Sequence, residues 1–257
     1  SHGPPPVSVP GAVDGWIELH KPFGSKPMSE ILAPAIDDAE KGFPLTELIA
    51  WYIQRTVPFF ESKGFPKIDE TYRAQNGGKL PDEGEIYKNP YLASTYRKIA
   101  EGGRDSFYKG EIDKTVGKFI KEQGGCLSAK DFAAHKSEWV EPVSINYRGY
   151  DVWELPPNGQ GIAALQMLQI LEGYDFSQIE FGSAEHLHLF TEAKKLAFED
   201  RAKYYADMDF FDVPVEELLS DAYAEERRKL IGDRAGKYSA GEISAGETIY
   251  MTVADGK

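Results

Sequence analysis

A short loop rich in glycine and amide side chains is one stretch whose residue types could do chemistry. It consists of Asn158, Gly159, Gln160 and Gly161, and it leads into an apolar run. A glycine loop that opens a helix exposes free backbone N–H groups, which can hold an anion. The same glycines would let a strand and a helix pack closely, and the residues alone favour this structural interpretation. The order of residues fits neither GxGxxG nor a P-loop, so nucleotide binding has little support.

Other reactive residue types occur singly or at spacings that do not make a site. Cys126 is the only cysteine, which excludes an internal disulfide, and without a flanking histidine it is interpreted as a small packing residue. His186 and His188 lie two apart, so on a helix they point in roughly opposite directions and cannot share a metal. The acidic residues near 210 lack EF-hand spacing. We therefore predict no metal site and no cofactor.

Thr248 opens a run of alternating β-branched and aromatic residues, 248–255, which predicts a strand. On residue type alone, a threonine at the start of a strand is most simply a structural residue. The preceding residues, 232–247, are rich in glycine, alanine and polar side chains, and we predict that they form mobile surface chain.

The elements that must position these residues combine helices with a hairpin. Residues 143–147 and 152–153 alternate in polarity around the turn Arg148-Gly149, which predicts a β-hairpin. A largely buried helix is predicted at 162–171, ending at Gly173, and a long scaffold helix at 183–206. Further helices are predicted at 12–19, 28–40, 44–60, 91–100, 105–123, 129–136 and 214–231, with a possible break at Ser220-Asp221 and a surface loop at 64–88.

Apolar spacing predicts which faces of two helices point inward. For the helix at 44–60 the predicted inner residues are Leu45, Leu48, Ile49, Tyr52 and Ile53. For the helix at 183–206 they are Leu187, Phe190, Ala193, Leu196, Ala197 and Tyr204.

Composition limits the classes of partner. The 257 residues carry 42 acidic and 29 basic side chains, a formal net charge of -13, which argues against nucleic acid or an anionic membrane as partner. No window holds 18 consecutive apolar residues, so no transmembrane span is predicted. With 41% hydrophobic residues the chain can build a substantial core, and we predict one domain, 1–257.

Four stretches together resemble the γ-glutamyltransferase family. The longest, 143–174, follows the family's course of strand, YRGY-like turn, strand, proline pair, small-residue loop and LQMLxILE helix. The others are VSVPGAVDGW at 7–16, GGRDSFYKG at 102–110 and EAKKLAFEDR at 192–201. The resemblance implies an α/β (α+β) fold of the layered αββα N-terminal-nucleophile hydrolase type, of which this chain would be a helix-rich portion of the large subunit.

The resemblance also implies roles for particular residues. Family precursors cleave themselves before a threonine that opens a strand, a position that Thr248 matches, with Val253-Ala254-Asp255 after it. Thr248 would then be the nucleophile, and the cut would fall between Glu247 and Thr248. Residues 1–247 would belong to the large subunit and 248–257 to the small subunit produced from the same precursor. The loop 158–161 is expected near the site.

The expected substrate is a γ-glutamyl amide such as glutathione, resolved by hydrolysis or by transfer to an amino acid or peptide. The family's carboxylate-binding arginine would lie before this chain and its oxyanion donors after it. Residues 248–250 read Thr-Ile-Tyr where the family has Thr-Thr-His, and 158–161 replace Ser-Ser-Gly-Gly. These departures resemble cephalosporin-acylase-like members, which leaves a glutaryl or cephalosporin-type acylase and a catalytically silent member as alternatives. Relatives are usually exported, so a periplasmic or extracellular location is expected.

Overall fold

The computed structural model describes residues 3–65, 67–73 and 76–243. The chain divides into two compact units, which we call unit 1 (Ser1–Glu138) and unit 2 (Trp139–Lys257). The prediction of one domain over 1–257, with its division into subunits, stays a prediction. None of the helices in the described ranges combines the length and the apolarity that a bilayer crossing requires.

Unit 1 is mostly helical. Its described elements are α1 (Ala12–Phe23), α2 (Met28–Lys41), β1 (Phe43–Pro44), α3 (Glu47–Ser62), α4 (Ile68–Tyr72), β2 (Ile86–Tyr87), α5 (Pro90–Tyr108), α6 (Ile112–Glu122) and α7 (Ala129–Ala134). Strands β1 and β2 pair antiparallel. As predicted, Ser128 is the N-cap of α7, and it forms a capping box with Asp131.

Two hydrophobic clusters hold unit 1 together. The larger joins α1, α2, α5, α6 and α7 through Val13, Leu32, Ile99, Tyr108, Ile120, Leu127 and Phe132. The smaller surrounds α3 and consists of Leu45, Ala50, Ile53 and Val57. Tyr108 and Phe132 are completely buried, so each contributes the full apolar area of an aromatic ring to the core.

Unit 2 begins with the predicted hairpin. Strands β3 (Val143–Tyr147) and β4 (Tyr150–Glu154) pair antiparallel, with Tyr147 opposite Tyr150. The turn residues Arg148 and Gly149 have φ values of 51° and 86°, the left-handed geometry that a two-residue hairpin turn requires. The hairpin prediction is confirmed.

The remaining elements of unit 2 are helices. They are α8 (Gly161–Glu172), a short 3-10 helix (Phe176–Gln178), α9 (Ala184–Tyr204), α10 (Val215–Leu218) and α11 (Asp221–Arg228). Helix α8 packs against both the hairpin and α9, and it is largely buried as predicted. The predicted break at Ser220 is confirmed, since Ser220 caps α11 by accepting the Tyr223 N–H. Arg228 of α11 donates to the carbonyls of Gln169 and Ile170, at 2.7 Å each.

The structure corrects the predicted inner face of α3. Leu45 and Ile53 are buried as predicted, but the predicted inward residues Leu48, Ile49 and Tyr52 are exposed. Ala50 and Val57, which were not predicted, are buried in their place. The prediction began the helix at Pro44, but Pro44 belongs to β1 and the helix starts at Glu47. With the preceding residues held extended in β1, the helix buries the i, i+3, i+7 set that begins at Ala50.

Other predictions for unit 1 were also wrong. The region 64–88 is not only a loop, because it contains α4 and β2. The helix predicted at 105–123 is interrupted: α5 ends at Tyr108 after a kink at Gly103 (φ 60°, ψ -152°), and α6 is separate. Cys126 is exposed rather than packed. These differences come from turns whose glycines the hydrophobic pattern does not register.

Candidate functional site

The two residues that the resemblance assigns to self-cleavage, Glu247 and Thr248, lie outside the described residues. So does the predicted strand at 248–255. The structure does describe residues 232–243, which lead to them along the chain, and it describes the loop 158–161. The contacts of these two stretches in unit 2 make up the candidate site.

The loop joins β4 to α8. Asn158, Gly159 and Gln160 are exposed, and Gly161 is the first residue of α8. A Cβ atom on Gly161 would lie 2.4 Å from Glu154 Oε2 and 3.2 Å from Glu154 Cβ, so a larger residue there would have to displace the Glu154 side chain. This supports the structural interpretation at Gly161. Anion binding by the loop stays a prediction.

Helix α9 carries a buried glutamate that binds the segment 232–243. Glu192 is 1% exposed, and its Oε1 accepts from Lys195 Nζ at 2.6 Å. Its Oε2 accepts from the backbone N–H of Gly236 at 2.9 Å and from the hydroxyl of Tyr238 at 2.5 Å. One carboxylate thus holds two residues of a segment that has no regular secondary structure.

Two turns further along α9, a buried aspartate binds the same segment. Asp200 is completely buried, and its Oδ1 accepts the Gly241 N–H at 2.9 Å and pairs with Arg227 at 3.2 Å. Its Oδ2 accepts from Gln166 Nε2 at 3.1 Å, and the hydroxyl of Tyr205 donates to Gln166 Oε1. Helices α8, α9 and α11 therefore all contribute to this carboxylate's environment.

Side chains of unit 2 also bind carbonyl oxygens of the segment. Arg227 donates to Ser239 O at 2.9 Å, and the hydroxyl of Tyr204 donates to Gly241 O at 2.6 Å. Parts of the segment are exposed, as expected for surface chain, but its backbone is fixed at several points that the sequence analysis did not predict.

The end of the described segment and the start of α8 meet one hydrophobic cluster. Ile162, which follows the loop residue Gly161, belongs to a buried cluster with Val213, Leu218 and Tyr223. Ile243 packs against this cluster. The structure thus brings the beginning of α8 and Ile243 to the same core.

The two buried acidic residues of α9 have pKa values shifted in opposite directions. Burial acts to raise the pKa of Glu192, but hydrogen bonds from Lys195, Tyr238 and Gly236 outweigh it and lower the pKa to about 2. Burial raises the pKa of Asp200, and its hydrogen-bond donors and the Arg227 charge offset that effect only in part. Burial and the Glu192 carboxylate raise the pKa of Tyr238 to about 12.

The chemistry of this arrangement is positioning. The oxygens of both carboxylates accept hydrogen bonds from protein groups, which leaves these oxygens engaged with the protein. Buried charges that are paired and hydrogen-bonded hold their partners in one arrangement. Unit 2 uses this to fix the path of residues 236–241.

The remaining residues considered from the sequence have local partners. His188 Nε2 is hydrogen-bonded to Gly232 O at 2.7 Å, and His186 lies against the ring of Phe190. Asp207 accepts the Asp209 N–H at 3.0 Å, which makes a turn at the end of α9. Within the described ranges, no three side chains of the metal-binding types group together.

Sequence reasoning missed Glu192, Asp200 and Arg227. The two acids lie eight residues apart, so they share a helix face with the buried Ala193 and Leu196. That spacing is the available signal, and it is a weak one because acidic residues are rarely buried.

Comparison with known proteins assigns the family. The sequence model of Gamma-glutamyltranspeptidase matches residues 1–257. The chain is 36% identical over 249 residues to the glutathione hydrolase-like YwrD proenzyme of Bacillus subtilis, covering 97% of this chain and 46% of that protein. It is 38% identical over 256 residues to the Acylase ACY 1 proenzyme of a Pseudomonas strain, covering 97% of this chain and 45% of that protein.

Solved structures agree. The γ-glutamyltranspeptidase of Helicobacter pylori superposes with a TM-score of 0.85 at 28% identity, covering 96% of this chain and 72% of that one. The cephalosporin acylase of Bacillus halodurans superposes with a TM-score of 0.82 at 40% identity, covering 93% of this chain and 45% of that one. These matches confirm the predicted fold class, a helix-rich α+β chain of the N-terminal-nucleophile hydrolase type.

The chain spans about half the length of the curated relatives that it matches, 46% and 45% for the two described above. The match to the family's sequence model nevertheless extends over all 257 residues of this chain. The chain therefore belongs to the gamma-glutamyltranspeptidase family.

Proposed function

We propose that the full-length protein is a self-processing amidase and acyltransferase whose nucleophile is Thr248. The observation that carries the proposal is the family match over residues 1–257, which includes the approach to Thr248 and the threonine itself. The names of the relatives add support, because both the YwrD protein and Acylase ACY 1 are called proenzymes.

Self-cleavage is an intramolecular acyl shift followed by hydrolysis. The hydroxyl oxygen of Thr248 attacks the carbonyl carbon of Glu247, the peptide C–N bond breaks, and the hydroxyl proton goes to the departing amine. The product is an ester between Glu247 and Thr248. Water then hydrolyses the ester, which leaves a carboxylate on Glu247 and a free α-amine and hydroxyl on Thr248.

The amine released by cleavage is the base for turnover. A threonine hydroxyl is a weak nucleophile near neutral pH, and an α-amine with a pKa of about 8 can accept its proton directly or through a water molecule. Attack on a substrate amide forms an acyl-enzyme and expels an amine. Water resolves the acyl-enzyme as hydrolysis, and an amino acid or peptide amine resolves it as transfer. No metal or cofactor takes part.

The proposed substrates are γ-glutamyl amides of the glutathione type. Glutathione hydrolase proenzymes of Pseudomonas aeruginosa and Escherichia coli are 37% and 32% identical to this chain, which supports this class. The partner is the small subunit made from the same precursor, beginning at Thr248. Residues of that subunit complete the site.

A second substrate class is favoured by a separate observation. An acylase is as similar to this chain as glutathione hydrolases are, because Acylase ACY 1 is 38% identical and the two glutathione hydrolase relatives are 36% and 37% identical. The departures at 248–250 and 158–161 point the same way. The alternative is therefore an acylase of the same mechanism acting on glutaryl or cephalosporin-type amides.

A panel of acyl donors separates the two classes. The full-length protein is incubated with γ-glutamyl and glutaryl amides of one chromogenic amine, and kcat/KM is measured for each. The proposal expects turnover of the γ-glutamyl amide, abolished in Thr248→Ala. Turnover of glutaryl amide alone would replace the substrate class and keep the mechanism. Undiminished turnover by Thr248→Ala would contradict the nucleophile.

A further inference from the structure

Two glycines of the segment 232–243 bind the two buried carboxylates of α9. Gly236 N–H donates to Glu192 and Gly241 N–H donates to Asp200, each at 2.9 Å. Hydrogen bonds to ionised acceptors are stronger than those between neutral groups. We call these four residues the clamp.

Both glycines lie against tyrosine side chains. A Cβ atom on Gly241 would lie 2.2 Å from the hydroxyl oxygen of Tyr223, and one on Gly236 would lie 2.5 Å from the ring of Tyr238. Gly232, earlier in the same segment, has open space where its Cβ would be. An alanine at either clamp position would therefore have to displace a tyrosine, whereas an alanine at position 232 would displace nothing.

The clamp fixes direction as well as position. Glu192 and Asp200 are eight residues apart, which corresponds to about 12 Å along a helix axis. Gly236 and Gly241 are five residues apart, and five residues span at most about 17 Å when fully extended. The segment is long enough to connect the two anchors, which follow in the same order along α9 and along the segment, so it runs along α9 toward Ile243.

The clamp is supported from α11. Arg227 pairs with Asp200 at 3.2 Å and donates to the carbonyl of Ser239, which lies between the two glycines, at 2.9 Å. Lys195 Nζ lies 2.6 Å from Glu192 Oε1 and compensates the charge of that carboxylate. Each carboxylate thus has a cationic partner of its own, and the clamp carries no uncompensated charge.

We propose that Glu192 and Asp200 are positioning residues for self-cleavage, which present the junction between Glu247 and Thr248 by clamping the chain at Gly236 and Gly241. The inference rests on the proposed function, because it assumes that this junction is cut. The junction follows Gly241 by six residues. Anchoring that close restricts the conformations from which an intramolecular attack must start, and such restriction accelerates intramolecular reactions.

The test follows self-cleavage of purified full-length precursor over time by intact mass. Variants on the segment are Gly236→Ala and Gly241→Ala, with Gly232→Ala as the matched control. Variants on α9 are Glu192→Gln and Asp200→Asn, with the exposed Glu199→Gln as the control. We expect at least about a tenfold lower cleavage rate for each clamp variant and less than about twofold change for the controls.

Two further readouts separate positioning from stability. After cleavage has gone to completion, the amidase kcat/KM of Gly241→Ala is expected to stay within about twofold of wild type, since the clamp acts before turnover. A Gly-Ser insertion after Ile243 is expected to slow cleavage. In the protein with the insertion, Gly241→Ala is expected to lower the cleavage rate by a much smaller factor than it does in the wild-type chain.

The outcomes are distinguishable. Wild-type precursor that never cleaves would overturn both the proposed function and the clamp. Wild-type precursor that cleaves while Gly241→Ala and Asp200→Asn cleave at the same rate would overturn the clamp alone. A fall in cleavage, kcat/KM and Tm in parallel would also overturn it, because it would show a structural role. If Asp200→Asn fails to fold, Gly241→Ala still decides, because it leaves the buried charges paired.

Discussion

Each unit contains a buried aspartate that pairs with an arginine and accepts a backbone N–H from irregular chain. In unit 1 this residue is Asp14, at the start of α1, which binds Arg104 and the Ser137 N–H. In unit 2 it is Asp200, at the end of α9, which binds Arg227 and the Gly241 N–H. The same arrangement of aspartate, arginine and backbone N–H therefore occurs once in each of these two places.

The difference lies in what the bound chain does next. Asp14 joins residues 90 and 123 positions away, and the neighbouring Tyr108 hydroxyl donates to Pro10 O at 2.6 Å, so this site closes the fold of unit 1. Asp200 binds Gly241, 41 positions away, and the chain continues from there toward Thr248. A buried carboxylate can therefore either close a fold or direct a chain that leaves it.

The two aspartates also differ in pKa. Burial acts to raise the pKa of Asp14, but the Arg104 guanidinium and the Ser137 N–H outweigh it and lower the pKa below its ordinary value. At Asp200, burial dominates and raises the pKa. The site that closes the fold is thus the more strongly stabilised as an ion.

The largest expected effect is on unit 1. Asp14→Ala would leave the Arg104 guanidinium without its carboxylate, and breaking a buried ion pair in this way costs about 3 to 5 kcal/mol of unfolding free energy. Asp105→Ala, which removes an exposed partner of the same arginine, should cost less than about 1 kcal/mol. Urea denaturation of the full-length protein measures both, and equal costs would contradict the fold-closing role.

A second pair of variants tests which face of α9 is buried. Leu189 is 6% exposed, so Leu189→Ala should cost about 2 to 5 kcal/mol. Leu187 is 58% exposed, so Leu187→Ala should stay within about 0.5 kcal/mol. Thermal unfolding of the two variants gives the comparison. Leu187 and Phe190 were predicted to lie on the inner face, but the structure leaves both exposed, whereas the predicted burial of Ala193, Leu196 and Ala197 is confirmed. The opposite order of costs would support the predicted burial of Leu187.

Stability measured over a pH series tests Glu192, the clamp carboxylate whose pKa is lowered. The folded pKa of Glu192 is about 2, against an ordinary value of 4.5, so its ionised form stabilises the fold. This contribution is present above pH 4.5 and is lost as the pH falls toward 2. The stability difference between wild type and Glu192→Gln should therefore be largest at neutral pH and shrink over that range. A difference that does not change with pH would contradict the ionised contact.

The smallest expected effect is at Cys126. Because its side chain is exposed, Cys126→Ala should change the unfolding free energy by less than about 0.5 kcal/mol. A thiol reagent should modify Cys126 in the native protein without denaturant. Protection of the thiol until unfolding would restore the packing interpretation.

Local patterns predicted the elements whose cause is local. The hairpin followed from alternation and from the turn Arg148-Gly149, and α8 followed from an apolar run bounded by glycines. Ser128 marked the start of α7, and the break at Ser220-Asp221 coincides with the start of α11. Each of these signals acts within a few residues, so a single sequence contains it in full.

What the sequence could not predict depends on distant partners. The face of α3 depends on the strand pairing of Phe43 and Pro44 with residues 86–87. The burial of Glu192 and Asp200 depends on Arg227 and on backbone N–H groups that any residue would offer. A buried acid is stable only with such partners, and hydrophobic periodicity carries no information about them. The role of Thr248 came from family resemblance and still requires experiment.

The most direct test of the account is the intact mass and N-terminal sequence of the full-length protein after purification. The account predicts two chains, the second beginning with Thr248, and a single uncut chain for Thr248→Ala. Cleavage at another residue, or a wild-type chain that stays whole under conditions where its relatives mature, would contradict it.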